Sequence, residues 1–248
     1  MKQLRRRFYL WLRQVTGKSS EDFAPHGVPV HIPADADLAI RYLLAKGRPY
    51  EAPEAEMVTR YLAPGTHVIE LGGCMGVVSA LIRSRIGPAA RHVVVEANPD
   101  LAKICGANAT RAAAPGATDV VEAAVDYSGA ATVTFARGHN AHVGHVARPG
   151  EDGFTVPAVT LSQLAARLPE GPFALVCDIE GGEIALFDAE AATGILERIT
   201  LLVLETHPKV YPGGAADLAA MVARIEAAGL TEVSNSEQVI CFRRGTGV

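Results

Sequence analysis

At 248 residues, with 49% apolar and 20% charged side chains, the chain is long enough for one α/β domain with a well-buried core. No apolar run approaches the roughly 18 residues of a membrane span, and the N-terminus lacks the apolar core of a signal peptide. Cys74, Cys105, Cys177 and Cys241 are scattered without a C-x-x-C pair, which predicts a reducing, cytoplasmic setting rather than disulfides or zinc, and the net charge of −4 offers no phosphate-binding stripe for a nucleic-acid partner.

Charge is unevenly spread. Residues 1–18 hold Lys2, Arg5, Arg6, Arg7, Arg13 and Lys18 and no acid, and Leu4, Phe8, Trp11, Leu12 and Val15 fall on one helical face. Residues 2–15 are therefore expected to form a basic amphipathic helix. Its apolar face has three possible covers: its own domain, a second subunit, or the anionic inner face of a membrane. Residues 1–50 are read as this helix and an extension, and residues 51–248 as the main domain.

Beyond Gly17, strands and helices alternate, predicting a mainly parallel sheet covered on both faces. A short strand is expected at 28–32 and helices at 37–45 and 53–62. Core strands follow at 68–71, 92–96, 119–123, 173–177 and 199–204, with helices at about 75–85, 99–113 and 215–228. Extra strands are expected at 131–136 and 155–158, and a closing hairpin at 232–234 and 239–242.

Chemistry concentrates where strands end. In Glu70-Leu71-Gly72-Gly73-Cys74-Met75-Gly76 an apolar strand runs into a carboxylate and then a glycine turn, a place where backbone can approach a nucleotide-like cofactor. The G-x-G-x-x-G spacing of a dinucleotide site is absent, and Glu70 would repel a pyrophosphate. S-adenosylmethionine carries an ammonium and a sulfonium and no phosphate, so an acid at this strand end suits it. Glu96, 20 residues after Gly76, stands at the spacing from which an acid reaches the ribose hydroxyls of an adenosine, with Asn98 either beside it or capping the next helix. Cys177-Asp178-Ile179-Glu180-Gly181-Gly182-Glu183 crowds three carboxylates into one turn at the end of another core strand, and these either cap a helix or face the ligand.

The glycine turn resembles the acidic-x-Gly-x-x-x-Gly turn of class I methyltransferases that use S-adenosylmethionine. Tyr50-Glu51, Val95-Glu96-Ala97-Asn98-Pro99, Asp178-Ile179-Glu180-Gly181-Gly182-Glu183 and Val203-Leu204-Glu205-Thr206-His207 resemble the FkbM family within that class. The likeness spans about residues 48–210. Glu70 replaces a more usual Asp, and Leu175-Val176-Cys177 replaces a segment that commonly holds a lysine. The resemblance implies a Rossmann-like, seven-stranded sheet whose last hairpin strand is antiparallel, and an O-methyltransferase acting on a hydroxyl of a sugar, glycolipid, polyketide or similar metabolite or glycan. It places Glu70 near the methionine moiety, Gly72, Gly73 and Gly76 in the turn, Glu96 at the ribose, and Ala123 and Ala124 beside the adenine. Asp178 is expected to position the acceptor or the methionine, with Glu180 beside it, and His207 is the expected base. No metal is expected. His139, His142 and His145 lie in a glycine-bearing loop that is read as a lid rather than a ligand set. The alternatives are a non-catalytic protein that binds S-adenosylmethionine and, less favoured, a nicotinamide-dependent oxidoreductase.

Overall fold

The computed structural model describes residues 1–136, 138, 144–148 and 150–245. The N-terminal segment contains α1 (Lys2–Val15), the two-residue strands β1 (Asp22–Phe23) and β2 (Val30–His31), and α2 (Leu38–Ala45), whose first turn is capped by Asp37 through the amides of Ala39 and Ile40. Helix α3 (Ala52–Tyr61) leads into the core. There β3 (Val68–Leu71), α4 (Val77–Ile86), β4 (His92–Val95), α5 (Pro99–Thr110) and β5 (Thr118–Val121) alternate as the apolar runs predict. Helix α4 starts two residues later than expected, because Cys74 and Gly76 take left-handed backbone at φ 45° and 75° and keep the turn open to Gly76.

A small flanking sheet follows, of β6 (Ala124–Val125), β7 (Thr132–Ala136), β8 (His145–Val146) and β9 (Phe154–Val159). The two extra strands expected from sequence are β7 and β9, and they pair antiparallel with Thr132 opposite Pro157. Residues 124–125 also form a strand, because their backbone pairs in parallel with Ala158 and Val159. After α6 (Leu161–Ala165) come β10 (Phe173–Cys177), α7 (Glu183–Glu190), β11 (Ile199–Glu205), α8 (Ala215–Ala227), β12 (Leu230–Ser236) and β13 (Val239–Arg244).

The main sheet has seven strands in the order β12-β13-β11-β10-β3-β4-β5. Strands β5, β4, β3, β10 and β11 are parallel, while β13 runs antiparallel to both β11 and β12. This is the Rossmann-like arrangement expected, closing hairpin included. Strand alternation fills both faces: Ile69, Leu71, Leu175, Cys177, Leu202 and Leu204 pack with Phe187 and Met221, while Val68, Ala174, Val176, Leu201 and Val203 pack with Val58 and Leu81. From β3 the chain winds outward through β4 and β5, then returns to place β10 on the other side of β3. That reversal leaves a crevice outside the carboxyl ends of β3 and β10, where ligands of open α/β sheets bind.

Helix α1 departs from one expectation. It docks through Tyr9, Leu10 and Arg13, with Tyr9 edge-on to Tyr42 and Arg13 donating to the carbonyl of Ala45. Its apolar stripe points the other way, so that Leu4, Phe8, Trp11, Leu12 and Val15 are all exposed. The chain's own domain does not cover that face.

Candidate functional site

The crevice opens into a cavity of about 550 Å³. Three strand ends supply its floor. The turn after β3 contributes Gly72 and Cys74; the end of β4 contributes Val95, Glu96, Ala97 and Asn98; and the turn after β10 contributes Asp178 through Gly182. Ala123, Ala124 and Val125 form one wall, and Phe135, His145 and Arg148 from the flanking sheet face them.

Gly72 is fixed by close approach. Its φ is 90°, and a Cβ there would lie 1.9 Å from the carbonyl oxygen of Asp178. Only glycine lets the turns after β3 and β10 touch. Gly73 and Gly76 help form the turn but do not reach the cavity. A Cβ on Gly73 would strike the Cys105 sulfur at 2.6 Å, and one on Gly76 would meet the Cys105 Cα at 2.9 Å, so these two glycines serve the packing of α5 against the turn.

Glu70 also departs from its expected place. Strand alternation turns it to the face beneath α4, where it is 2% exposed; Oε1 accepts from Ser79 at 2.9 Å and Oε2 is 2.9 Å from His92 Nε2. It lines neither this cavity nor the acidic one beside it. The acids that do line the cavity are Asp37, Glu51, Glu96, Asp126, Asp178 and Glu180. Among the described residues Arg148 and His145 are the basic ones there, and His145 is 2.9 Å from Glu151. His139 and His142 lie outside the described residues.

Glu96 lines the cavity at the end of β4. Oε2 accepts from the Cys74 amide at 2.8 Å and Oε1 from the Asn98 amide at 2.7 Å, leaving each oxygen a further lone pair. Burial pushes its carboxyl up to about 7, against the pull of those backbone donors. The Asn98 side chain caps α5 by accepting from the Asp100 amide at 3.0 Å, so its helix role is realised even as it borders the cavity.

A second cavity, of about 280 Å³, adjoins the first and shares Glu51, Asp178 and Glu180 with it. Glu54, Glu205 and Glu237 complete a strongly acidic lining, beside Tyr50, Pro53, Gln238 and Val239. Burial drives Glu51 and Glu54 each up to about 8, with Glu205 reinforcing the shift of Glu54. Asp178 is raised well above the carboxylate range by burial and then by Glu205, Glu180 and Glu51, and Glu180 is raised by burial with His207 partly offsetting it. Glu51, Glu180 and Glu237 are three non-glycine residues with left-handed backbone, at φ 51°, 49° and 55°, and all three line this cavity. Such strain, of order 1–3 kcal/mol each, persists where surrounding structure holds it and gathers at functional sites.

His207 lies behind these acids. It is 9% exposed and lines neither cavity. Its Nδ1 is 2.8 Å from Glu183 Oε1, and its Nε2 faces Asp178 and Glu180 at 3.5 Å and Glu205 at 3.6 Å. Burial would lower its pKa, but the Glu183 hydrogen bond and the surrounding carboxylates raise it above the ordinary histidine value. Sequence reasoning named neither Glu51, Glu54 and Glu205 nor the orienting role of Glu183 as site features. Tyr50-Glu51 and Val203-Leu204-Glu205-Thr206-His207 were visible as motifs, but only the fold brings them to one wall.

No family model and no curated protein matches the chain. Among solved structures it is similar to fibrillarin from Aeropyrum pernix, crystallised with natively bound S-adenosyl-L-methionine, at 12% identity and a TM-score of 0.45 over 76% of this chain and 72% of that one. An O-methyltransferase from Bacillus cereus in complex with SAH gives 10% identity and a TM-score of 0.45, over 79% and 82%. Precorrin-6y C5,15-methyltransferase from Geobacter metallireducens gives 13% and 0.43, over 79% and 89%.

Proposed function

We propose that the chain is an S-adenosylmethionine-dependent O-methyltransferase of the FkbM type, acting on a hydroxyl of a sugar, glycolipid, polyketide or similar small metabolite. One observation carries this reading: the switch-point cavity is lined by six carboxylates, two of them at the ends of β4 and β10, and so suits a cationic adenosine cofactor and repels a pyrophosphate. Glu96 would hold the ribose hydroxyls with its spare lone pairs, while Ala123, Ala124 and Val125 offer the adenine an apolar wall. When bound, S-adenosylmethionine supplies an activated methyl group on its sulfonium.

The chain's own task is to hold the acceptor and take its proton. Asp178 and Glu180 border both cavities, which puts their carboxyl groups beside a hydroxyl presented from the acidic side. His207, clamped by Glu183 through Nδ1, fits an orienting role better than that of the free base. For residues 2–15, the exposed apolar stripe flanked by Lys2, Arg5 and Arg7 fits peripheral contact with an anionic membrane face; a homodimer contact is the competing outcome.

Transfer of labelled methyl groups from S-adenosylmethionine to a panel of hydroxylated acceptors, read by S-adenosylhomocysteine release, tests the reading. Asp178→Ala should abolish transfer while cofactor binding persists. A thermal shift with NAD and none with S-adenosylmethionine would refute the proposal, and binding without turnover across the panel would favour a non-catalytic cofactor-binding protein.

A further inference from the structure

The wall between the two cavities holds an arrangement that methyl transfer by itself does not require. One carboxylate oxygen each of Asp178 and Glu180 and one ring nitrogen of His207 all lie within 4.8 Å of one another. His207 Nε2 is 3.5 Å from each of the two carboxylate oxygens and 3.6 Å from Glu205 Oε1. Those separations are too long for good hydrogen bonds, which fall at about 2.7–3.2 Å. The two 3.5 Å separations suit donor atoms sharing an ion, since donors about 2.1 Å from a tetrahedral centre stand roughly 3.4 Å apart.

Two further features point to a cation. Asp178 Oδ1 is buried with no hydrogen-bond partner, and the nearest group that could meet it, His207 Nε2, stands 3.5 Å away, beyond good hydrogen-bond length. Glu183, fully buried, engages Nδ1 of His207 at 2.8 Å, which turns Nε2 toward Asp178 and Glu180. A carboxylate behind a histidine in this way is the usual orienting partner of a metal-bound imidazole.

We propose that Asp178, Glu180 and His207 bind a divalent transition-metal ion, with Glu183 orienting the imidazole. Oxygen-rich donors with one imidazole suit zinc, manganese or iron(II) rather than a soft metal. This replaces the expectation of a metal-free site, which rested on the histidine loop and not on this wall. Resting on the methyltransferase reading, it gives the ion a role: Asp178 and Glu180 face both cavities, so an acceptor hydroxyl entering from the acidic side would reach the ion at the boundary with the cofactor cavity. A bound cation lowers the pKa of a coordinated hydroxyl, so less is asked of a protein base.

The test is direct metal binding by the tag-free full-length chain after EDTA treatment. Co²⁺ is titrated and followed by its d–d absorption, then displaced with Zn²⁺. One equivalent should bind. Asp178→Asn and, separately, Glu180→Gln should each weaken binding at least about tenfold, and Glu183→Gln about ten- to hundredfold through the orienting bond. Glu237→Gln, in the same acidic cavity but exposed, should change affinity by less than about twofold, because diffuse surface charge is screened. Absence of stoichiometric binding, or equal weakening by Glu237→Gln and Asp178→Asn, would overturn the site. S-adenosylmethionine binding measured on the same preparation separates the two claims: cofactor without metal sinks only the metal site, and metal without cofactor sinks only the methyltransferase reading.

Discussion

Replacing Glu96 with Gln isolates what a buried acid costs this fold. In the folded chain burial raises the Glu96 carboxyl from the ordinary 4.5 to about 7, while in the unfolded chain it titrates normally. Between those values the folded state keeps a proton that the unfolded state has lost. The stability this group contributes is thus full below about pH 4.5 and falls as the pH rises toward 7. At 1.36 kcal/mol per pH unit the loss is about 3 kcal/mol, an order-of-magnitude figure. Glutamine cannot ionise and escapes this loss. It retains only one acceptor oxygen, however, so one of the Cys74 and Asn98 amides that Glu96 now accepts from is left unpaired, at about 1–3 kcal/mol. Urea denaturation of both proteins at pH 5 and pH 8 should therefore show the variant less stable at pH 5, with the gap closing or inverting by pH 8. Comparison between the two proteins cancels titration elsewhere. A gap that stays the same at both pH values would refute the assignment of a raised pKa to Glu96.

Gly72→Ala should cost about 2–4 kcal/mol, from a left-handed φ of 90° and a Cβ driven against the Asp178 carbonyl, and should lower Tm by roughly 5–15 °C for a chain of this size. An unchanged calorimetric Tm would mean the turns after β3 and β10 are not in that contact. Exchanging Phe8 and Trp11 for Ser in the full chain should reduce pelleting with anionic liposomes by more than about tenfold, since both rings are exposed and each would contribute on the order of 1.5–3 kcal/mol when buried in lipid. Equal pelleting of the two proteins would leave the dimer contact, which sedimentation velocity would then report as a loss of dimer in the variant.

The chain's own pattern determined the architecture. The apolar runs at 173–177 and 199–204 read as strands buried on both faces, and helical periodicity between strands set a mainly parallel sheet. Acids and glycines at strand ends marked the crevice before any coordinates, because the carboxyl end of a parallel strand is a property of sequence order. Which side chains face that crevice was decided by tertiary structure alone. Glu70 reads as a strand-end ligand, yet the alternation of β3 turns it under α4 to Ser79 and His92. Gly73 and Gly76 look like a cofactor cradle, yet they make room for α5. Glu51, Glu180 and His207 are separated by long stretches of chain, and only the placement of α3 beside the ends of β10 and β11 collects them into one acidic wall. Local pattern encodes where strands end, because burial and hydrogen bonding act along the chain. The direction of each side chain and the partners it meets depend on how distant elements close on one another, and that information exists only in the folded whole.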